Sequence, residues 1–102
     1  MGMMLTGKHI TAQEAHKWGI ANEVVPLNDL IPTSERWAHE IMECSPLSVQ
    51  ASKEAALTGL GLPVEEAIAK PYEGQARLFR SKDAVEGPLA FSQKRKPNWT
   101  GE

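Results

Sequence analysis

The sequence has a single cysteine, no long apolar run and no strong charge of either sign. Cys44 cannot form an internal disulfide, and such sparse cysteine usage fits the reducing cytoplasm. No apolar stretch approaches the roughly 20 residues that a membrane span requires, and the opening MGMML lacks the basic start and apolar core of a secretory signal. A net charge of −2 and a pI near 5.9 argue against a general nucleic-acid binder. The composition therefore predicts a soluble cytoplasmic protein without a membrane or nucleic-acid partner.

The patterns that carry metal or phosphate chemistry are missing as well. The histidines, His9, His16 and His39, are scattered, and no C-x2-C or H-x3-H pair is present. Neither G-x-x-x-x-G-K-[ST] nor G-x-G-x-x-G occurs. Most of the glutamates fall on predicted polar faces or in first turns, where solvation or helix capping explains them. The residue pattern thus predicts no catalytic residue and no metal ligand.

What the sequence does contain is one helical segment after another. Thr11 and Glu14 have the spacing of a capping box, and Gly19 can end the helix predicted over residues 12–18. The segment IANEVVP is β-branched and predicts extended chain, with a strand only if a sheet partner exists. Pro71 predicts a break near residues 70–74. Further helix starts are expected at Asp29, Ser45, Pro63 and Ser81, which gives an all-α fold of about five short helices in a single domain over residues 1–102.

The apolar stripes of these helices are wider than one short chain can cover. Trp37, Leu60 and Phe79 lie on three of them, and helices this short depend on packing for their stability. Uncovered stripes promote self-association. We therefore expect a homo-oligomer, and for this chain alone a dimer, a trimer or a domain-swapped form.

The end of the sequence, SKDAVEGPLAFSQKRKPNW, carries a basic and aromatic cluster in an otherwise mildly acidic chain. The pattern predicts a helix that continues into Lys94, Arg95 and Lys96 and stops at Pro97. One interpretation is that these cations interact with the negative end of the helix dipole. The other is a phosphate contact, with Lys94 acting as a point charge for an anionic ligand.

Three ordered motifs resemble those of one family. MMLTGKHITAQEAHKWGIANEVVP is similar to the segment that follows the catalytic core in the crotonase superfamily, the enoyl-CoA hydratase/isomerase family. SPLSVQASKEA resembles that family's S-P-x-[AS]-V-x-x-[ST]-K helix. SKDAVEGPLAFSQKRKPNWTG resembles its ending, S-x-D-x-x-E-G-x-x-A-F-x-x-K-R-x-P-x-[FW]-x-G.

The resemblance implies the C-terminal helical, trimer-forming part of an enzyme that acts on acyl-CoA thioesters, with no covalently bound cofactor. The family's oxyanion hole and catalytic glutamates lie upstream of the matched segment, so the chain alone is expected to be inactive. The resemblance implies a coenzyme A contact for Lys94, Phe91, Phe79 and Arg95, although core packing is the simpler role for Phe91. An upstream family phenylalanine that helps to cover adenine has no clear equivalent, because Gln75 falls near that place. We expect Met1 and Gly2 to be residues added by cloning and the chain to be a truncation.

Two alternatives stay open at this point. The chain could be a self-standing helical oligomerisation module that does not bind coenzyme A. It could also bind nucleic acid through its basic tail, although the net charge speaks against this.

Overall fold

The computed structural model describes all residues from 1 to 102 and is entirely helical. The α-helices are α1 (Gly2–Thr6), α2 (Ala12–Lys17), α3 (Leu30–Met42), α4 (Pro46–Gly59), α5 (Val64–Ala69), α6 (Glu73–Phe79) and α7 (Lys82–Ser92), with a 3₁₀ turn at Leu27–Asp29. The all-α prediction is confirmed. The number of helices is higher than expected, because α1 had no sequence signal and the helix predicted to begin at Pro63 is divided into α5 and α6. The chain forms two compact units, Met1–Arg36 and Trp37–Glu102, and a single domain over residues 1–102 stays a prediction.

The first unit contains the predicted capping box at the start of α2. The N–H of Glu14 donates to Thr11 Oγ1 at 3.2 Å, and the N–H of Thr11 donates to Glu14 Oε2 at 2.8 Å. The helix ends at Lys17, one residue before the predicted end, and Gly19 follows with a left-handed φ of 74°. The segment IANEVVP forms no strand, since the structure offers it no sheet partner. Asp29 lies in the 3₁₀ turn that precedes α3.

In the second unit, the sequence predicts the start of α4 correctly. Ser45 accepts a hydrogen bond from the N–H of Ser48, and Pro46 occupies the first position of the helix. The predicted break at Pro71 is also confirmed. Lys70 adopts an extended conformation (φ −64°, ψ 130°) between α5 and α6, because the residue before proline is disfavoured in the α region.

The core of this unit is small and lies mainly where α4 packs against α6. Gly74 is the point of closest approach, since a Cβ atom there would lie 3.0 Å from the Cα of Ala51. The carboxylate of Glu54 accepts the N–H of Gly74 at 2.7 Å and thereby satisfies a backbone group at the start of α6. Gly74 is thus a packing residue. The buried apolar residues are Leu47, Ala51, Tyr72 and Ala90.

Most of the predicted apolar stripes are exposed. The spacing is helical as expected, but Val64, Ile68 and Val85 are exposed, like Trp37, Leu60 and Phe79. Small residues such as Gly74 and Ala51 form the close contact between α4 and α6, and the larger apolar side chains stay exposed. The expected excess of apolar surface is confirmed for this chain.

Candidate functional site

The basic cluster lies just beyond the end of α7, in a turn that holds a residue in the left-handed conformation. The N–H of Arg95 donates to the carbonyl of Ala90 at 3.1 Å, and the N–H of Lys94 donates to the carbonyl of Phe91 at 3.1 Å. These two bonds define a Schellman motif, whose left-handed position is usually glycine. Here it is Lys94, with a φ of 53°, and no other non-glycine residue in the chain has a positive φ. The predicted helix through residues 94–96 is therefore wrong, since α7 ends at Ser92.

The three consecutive cations have different surroundings. Arg95 forms a bidentate pair with Glu86, with Nη1–Oε1 and Nη2–Oε2 distances of 2.6 and 2.9 Å. The ammonium group of Lys96 lies 3.4 Å from Glu43 Oε1. Lys94 is exposed and its ammonium group has no carboxylate partner. Of the three, Lys94 is the cation left available for an anionic ligand.

Phe91 and Lys94 both lie at the surface at this end of α7. Phe91 is 87% exposed, so core packing, the simpler expectation for this residue, is wrong for this chain. An exposed phenylalanine near an unpaired lysine offers an aromatic face together with a positive charge. That combination suits a ligand that carries both a planar ring and an anionic group.

Phe79 lies in a different place from the cluster at the end of α7. With Gln75, Ile68 and Tyr72 it lines a cavity of about 330 Å³ that alanines of α4 and α5 also line. Phe91, Lys94 and Arg95 do not line this cavity. The structure therefore brings three of the four predicted site residues to one turn and places Phe79 with Gln75 in a separate cavity.

Asp83 and Glu86, one turn apart on α7, are functional candidates that the sequence reasoning missed. Asp83 is almost fully buried and accepts the N–H of Thr100 at 2.8 Å, which, as the largest cause, holds its pKa below the usual value. Arg95 and the N–H of Asn98 together lower the pKa of Glu86 to about 2. The D-x-x-E spacing next to a polar tail was a signal, since residues three apart share a helix face. The sequence alone supported only a first-turn acid at position 83.

Other chemistry is not assembled in the structure. No group of three or more histidine, cysteine, aspartate and glutamate side chains lies close enough together to hold a metal ion. Cys44 is exposed, and its Sγ lies 3.8 Å from the carbonyl oxygen of Glu40. None of the helices is long and apolar enough to span a membrane.

The helix order, the Ser45–Pro46 start of α4 and the Schellman turn at Lys94 define an all-α segment with uncovered apolar faces and a cationic end. The sequence model of the enoyl-CoA hydratase/isomerase family matches residues 1–102. The chain therefore belongs to this family, within the crotonase superfamily, and its helices correspond to the C-terminal helical part of the crotonase fold.

Relatives and solved structures agree with this assignment. The carnitinyl-CoA dehydratase of Salmonella arizonae is 39% identical over 97% of the chain and 40% of its own length. A structure from Novosphingobium aromaticivorans, described as a short chain enoyl-CoA hydratase, is 42% identical with a TM-score of 0.92, over 99% of this chain and 40% of that one. The structure of an enoyl-CoA hydratase/isomerase from Mycobacterium paratuberculosis is 33% identical with a TM-score of 0.89, over 100% of this chain and 40% of that one. The chain thus spans about 40% of the length of the relatives that it matches.

Proposed function

We propose that this chain is the C-terminal assembly part of an enoyl-CoA hydratase/isomerase-type enzyme and borders the coenzyme A end of an acyl-CoA thioester. The observation that supports the proposal best is Lys94, an unpaired and exposed lysine in a left-handed position. That conformation costs about 1–2 kcal/mol for a residue with a Cβ atom. Backbone stability therefore does not favour lysine at this position, whereas ligand binding would.

The chemistry of coenzyme A suits the end of α7. Its phosphates are anionic, and the ammonium group of Lys94 is a compact charge that can bind one of them. The exposed ring of Phe91 can lie against the adenine or its ribose. Arg95 adds positive charge to the same turn, although Glu86 holds its guanidinium. Phe79 would contact coenzyme A from the cavity that it shares with Gln75.

The acyl-CoA chemistry itself is assigned to the part of the enzyme that this chain does not contain. In the proposed parent enzyme, a cytoplasmic lyase or isomerase of fatty acid metabolism, the oxyanion hole and the catalytic glutamates come from the segment upstream. We expect no turnover of crotonyl-CoA by the 102-residue chain. A relative that is a carnitinyl-CoA dehydratase supports a CoA thioester as the class of substrate.

Titration of isotope-labelled chain with free coenzyme A, followed by NMR, tests the cofactor contact. We expect chemical shift changes concentrated at residues 91–99. Lys94→Ala should weaken them, while Lys96→Ala serves as the matched control because Glu43 already pairs with Lys96. Equal weakening by both substitutions would indicate only a general effect of positive charge and would contradict a specific Lys94 contact.

The exposed apolar side chains favour a second candidate, a helical oligomerisation module without coenzyme A binding. Leu60 is 86% exposed, Ile68 80% and Phe79 71%, and exposed apolar surface of this kind promotes self-association. Sedimentation over a range of concentrations should detect a dimer, a trimer or a swapped form. A self-associating chain whose NMR spectrum coenzyme A does not change would favour this second candidate over the first.

A further inference from the structure

We propose that Asp83 and Glu86 are positioning residues for the coenzyme A contact of Lys94. The two carboxylates, called here the carboxylate clasp, hold residues 95–101 along α7 and so maintain the left-handed turn at Lys94. This inference rests on the proposed function.

Glu86 holds the first half of this terminal segment. Its Oε1 accepts Arg95 Nη1 at 2.6 Å and the backbone N–H of Asn98 at 2.7 Å, while its Oε2 accepts Arg95 Nη2 at 2.9 Å. Bidentate guanidinium–carboxylate pairs fix orientation as well as distance. Arg95 directly follows Lys94, so Glu86 fixes the residue on the C-terminal side of the turn.

Asp83 holds the second half. Its Oδ1 accepts the N–H of Thr100 at 2.8 Å and the hydroxyl of Thr100 at 3.2 Å. Its Oδ2 accepts the hydroxyl of Ser45 at 2.8 Å, and the N–H of Gly101 lies 3.3 Å from the same oxygen. At 3% exposure, Asp83 is shielded from competing water. It therefore joins the terminal segment both to α7 and to the start of α4.

Further contacts hold the end of the chain without involving Lys94. The indole N–H of Trp99 donates to the carbonyl of Glu43 at 2.8 Å, and the ring lies over Gly87. The ammonium group of Lys82 lies 2.9 Å from Glu102 Oε2. Arg95 itself also donates from Nε to Gln93 Oε1 at 2.7 Å and from its backbone N–H to the carbonyl of Ala90 at 3.1 Å, so Glu86 is the one carboxylate that binds its guanidinium.

The link to Lys94 is a matter of backbone conformation. A non-glycine residue stays left-handed only where its surroundings over-determine it. On one side Lys94 follows the last turn of α7, and on the other it precedes Arg95, which Glu86 holds. Release of Arg95 would let Lys94 leave the left-handed region, and its ammonium group would then move relative to Phe91.

The test uses the 102-residue chain with Glu86→Gln and Asp83→Asn, and Glu65→Gln, an exposed first-turn acid of α5, as the matched control. The backbone coupling constant of Lys94 reports its φ angle, and NMR titration reports the affinity for coenzyme A. We expect Glu86→Gln to shift this coupling constant and to weaken coenzyme A binding at least about threefold. An effect of this size between neighbouring groups can be resolved by double-mutant cycles. In the Lys94→Ala background, Glu86→Gln should cause no further loss, which a merely structural role would not predict.

The outcomes separate this inference from the proposed function. If the wild-type chain binds coenzyme A and Glu86→Gln changes the Lys94 turn without changing affinity, positioning by the clasp is overturned and the proposed function stands. An unchanged Lys94 coupling constant in Glu86→Gln also overturns it. If the wild-type chain does not bind coenzyme A, both fail. Should Asp83→Asn prevent folding, Glu86→Gln still decides the matter, because the Glu86 side chain is nearer the surface.

Discussion

Helices α2 and α7 end in the same Schellman turn, but a glycine occupies the left-handed position in one and a lysine in the other. At α2 the N–H of Ile20 donates to the carbonyl of Ala15 at 2.8 Å, and Gly19 has a φ of 74°. At α7 the equivalent bond joins Arg95 and Ala90, and Lys94 has a φ of 53°. Glycine adopts this conformation at no steric cost, whereas lysine does not. The backbone thus explains the glycine at the first turn but not the lysine at the second.

The segments that follow the two turns also differ in the contacts that hold them. After Gly19, His16 Nδ1 lies 3.1 Å from the carbonyl oxygen of Ala21, and the carboxylate of Glu23 pairs with Arg36 of α3. After Lys94, Glu86 and Asp83 hold the chain as far as Gly101. The segment after the strained turn is thus held by two carboxylates of the helix that it leaves, whereas the segment after the unstrained turn is held by an ion pair to the next helix.

The largest effect is expected from a β-branched residue at the unstrained turn. Gly19→Val should lower the free energy of unfolding by about 1–2 kcal/mol, because only the left-handed backbone penalises the new side chain. A Cβ atom at Gly19 would meet no atom within 4 Å, so a clash does not contribute. Urea denaturation followed by helical circular dichroism measures the change. Gly61→Ala is the control, since Gly61 is equally open but has no positive φ; an equal loss in both variants would refute the argument.

The reverse change at the strained turn should stabilise the chain. Lys94→Gly removes the left-handed strain but adds flexibility to the unfolded state, which leaves a gain of about 0.5–1 kcal/mol. The same variant should lose the coenzyme A shifts at residues 91–99. Stability and binding would then change in opposite directions, as expected where a strained residue serves function. A destabilised Lys94→Gly chain would show that the lysine contributes to the fold.

Asparagine at the same position gives a smaller and graded effect. Asn is the non-glycine residue that tolerates the left-handed region best, so Lys94→Asn should stabilise by a few tenths of a kcal/mol, less than glycine. Thermal melts of the wild type and both variants should rank as glycine, asparagine, lysine. Any other order would mean that backbone strain does not control stability at this turn.

The smallest change is expected from mild acid. The pKa of Glu86 is lowered to about 2 from an ordinary value of 4.5, first by Arg95 and then by Asn98. A lowered folded-state pKa means that the stabilisation is complete above about pH 4.5 and is lost as the pH falls toward 2. Between pH 7 and 5 the amide of Asn98 should therefore keep its protection from hydrogen exchange. A carboxyl titration of Glu86 with a midpoint near 4.5 would contradict the observed hydrogen bonds.

Much of the local structure could be predicted because it depends on short-range chemistry. The Thr11–Glu14 capping box, the Ser45–Pro46 helix start and the break at Pro71 each involve residues within a few positions. The motif resemblance likewise gave the family and the helical part of its fold. The proposed coenzyme A contacts of Lys94, Phe91, Phe79 and Arg95 stay predictions.

Other features could not be predicted because they depend on contacts between distant residues. Phe91 has the helical spacing of a core residue, but no element covers it. Gly74 looks like a flexible residue, but a close approach to Ala51 requires it. Asp83 looks like a first-turn acid, whereas its partners Ser45 and Thr100 lie far away in the sequence.

The sequence by itself determined most of the helices, the caps at Thr11 and Ser45, the proline break and membership of the enoyl-CoA hydratase/isomerase family, because these follow from local spacing and from ordered motifs. The tertiary structure decided which apolar faces stay exposed, which of three adjacent cations is unpaired, and which carboxylates hold the terminal segment. The physical reason is that burial and charge pairing depend on which distant groups meet. Arg95 pairs with Glu86 and Lys96 lies near Glu43, and the turn leaves Lys94 unpaired and exposed at the surface.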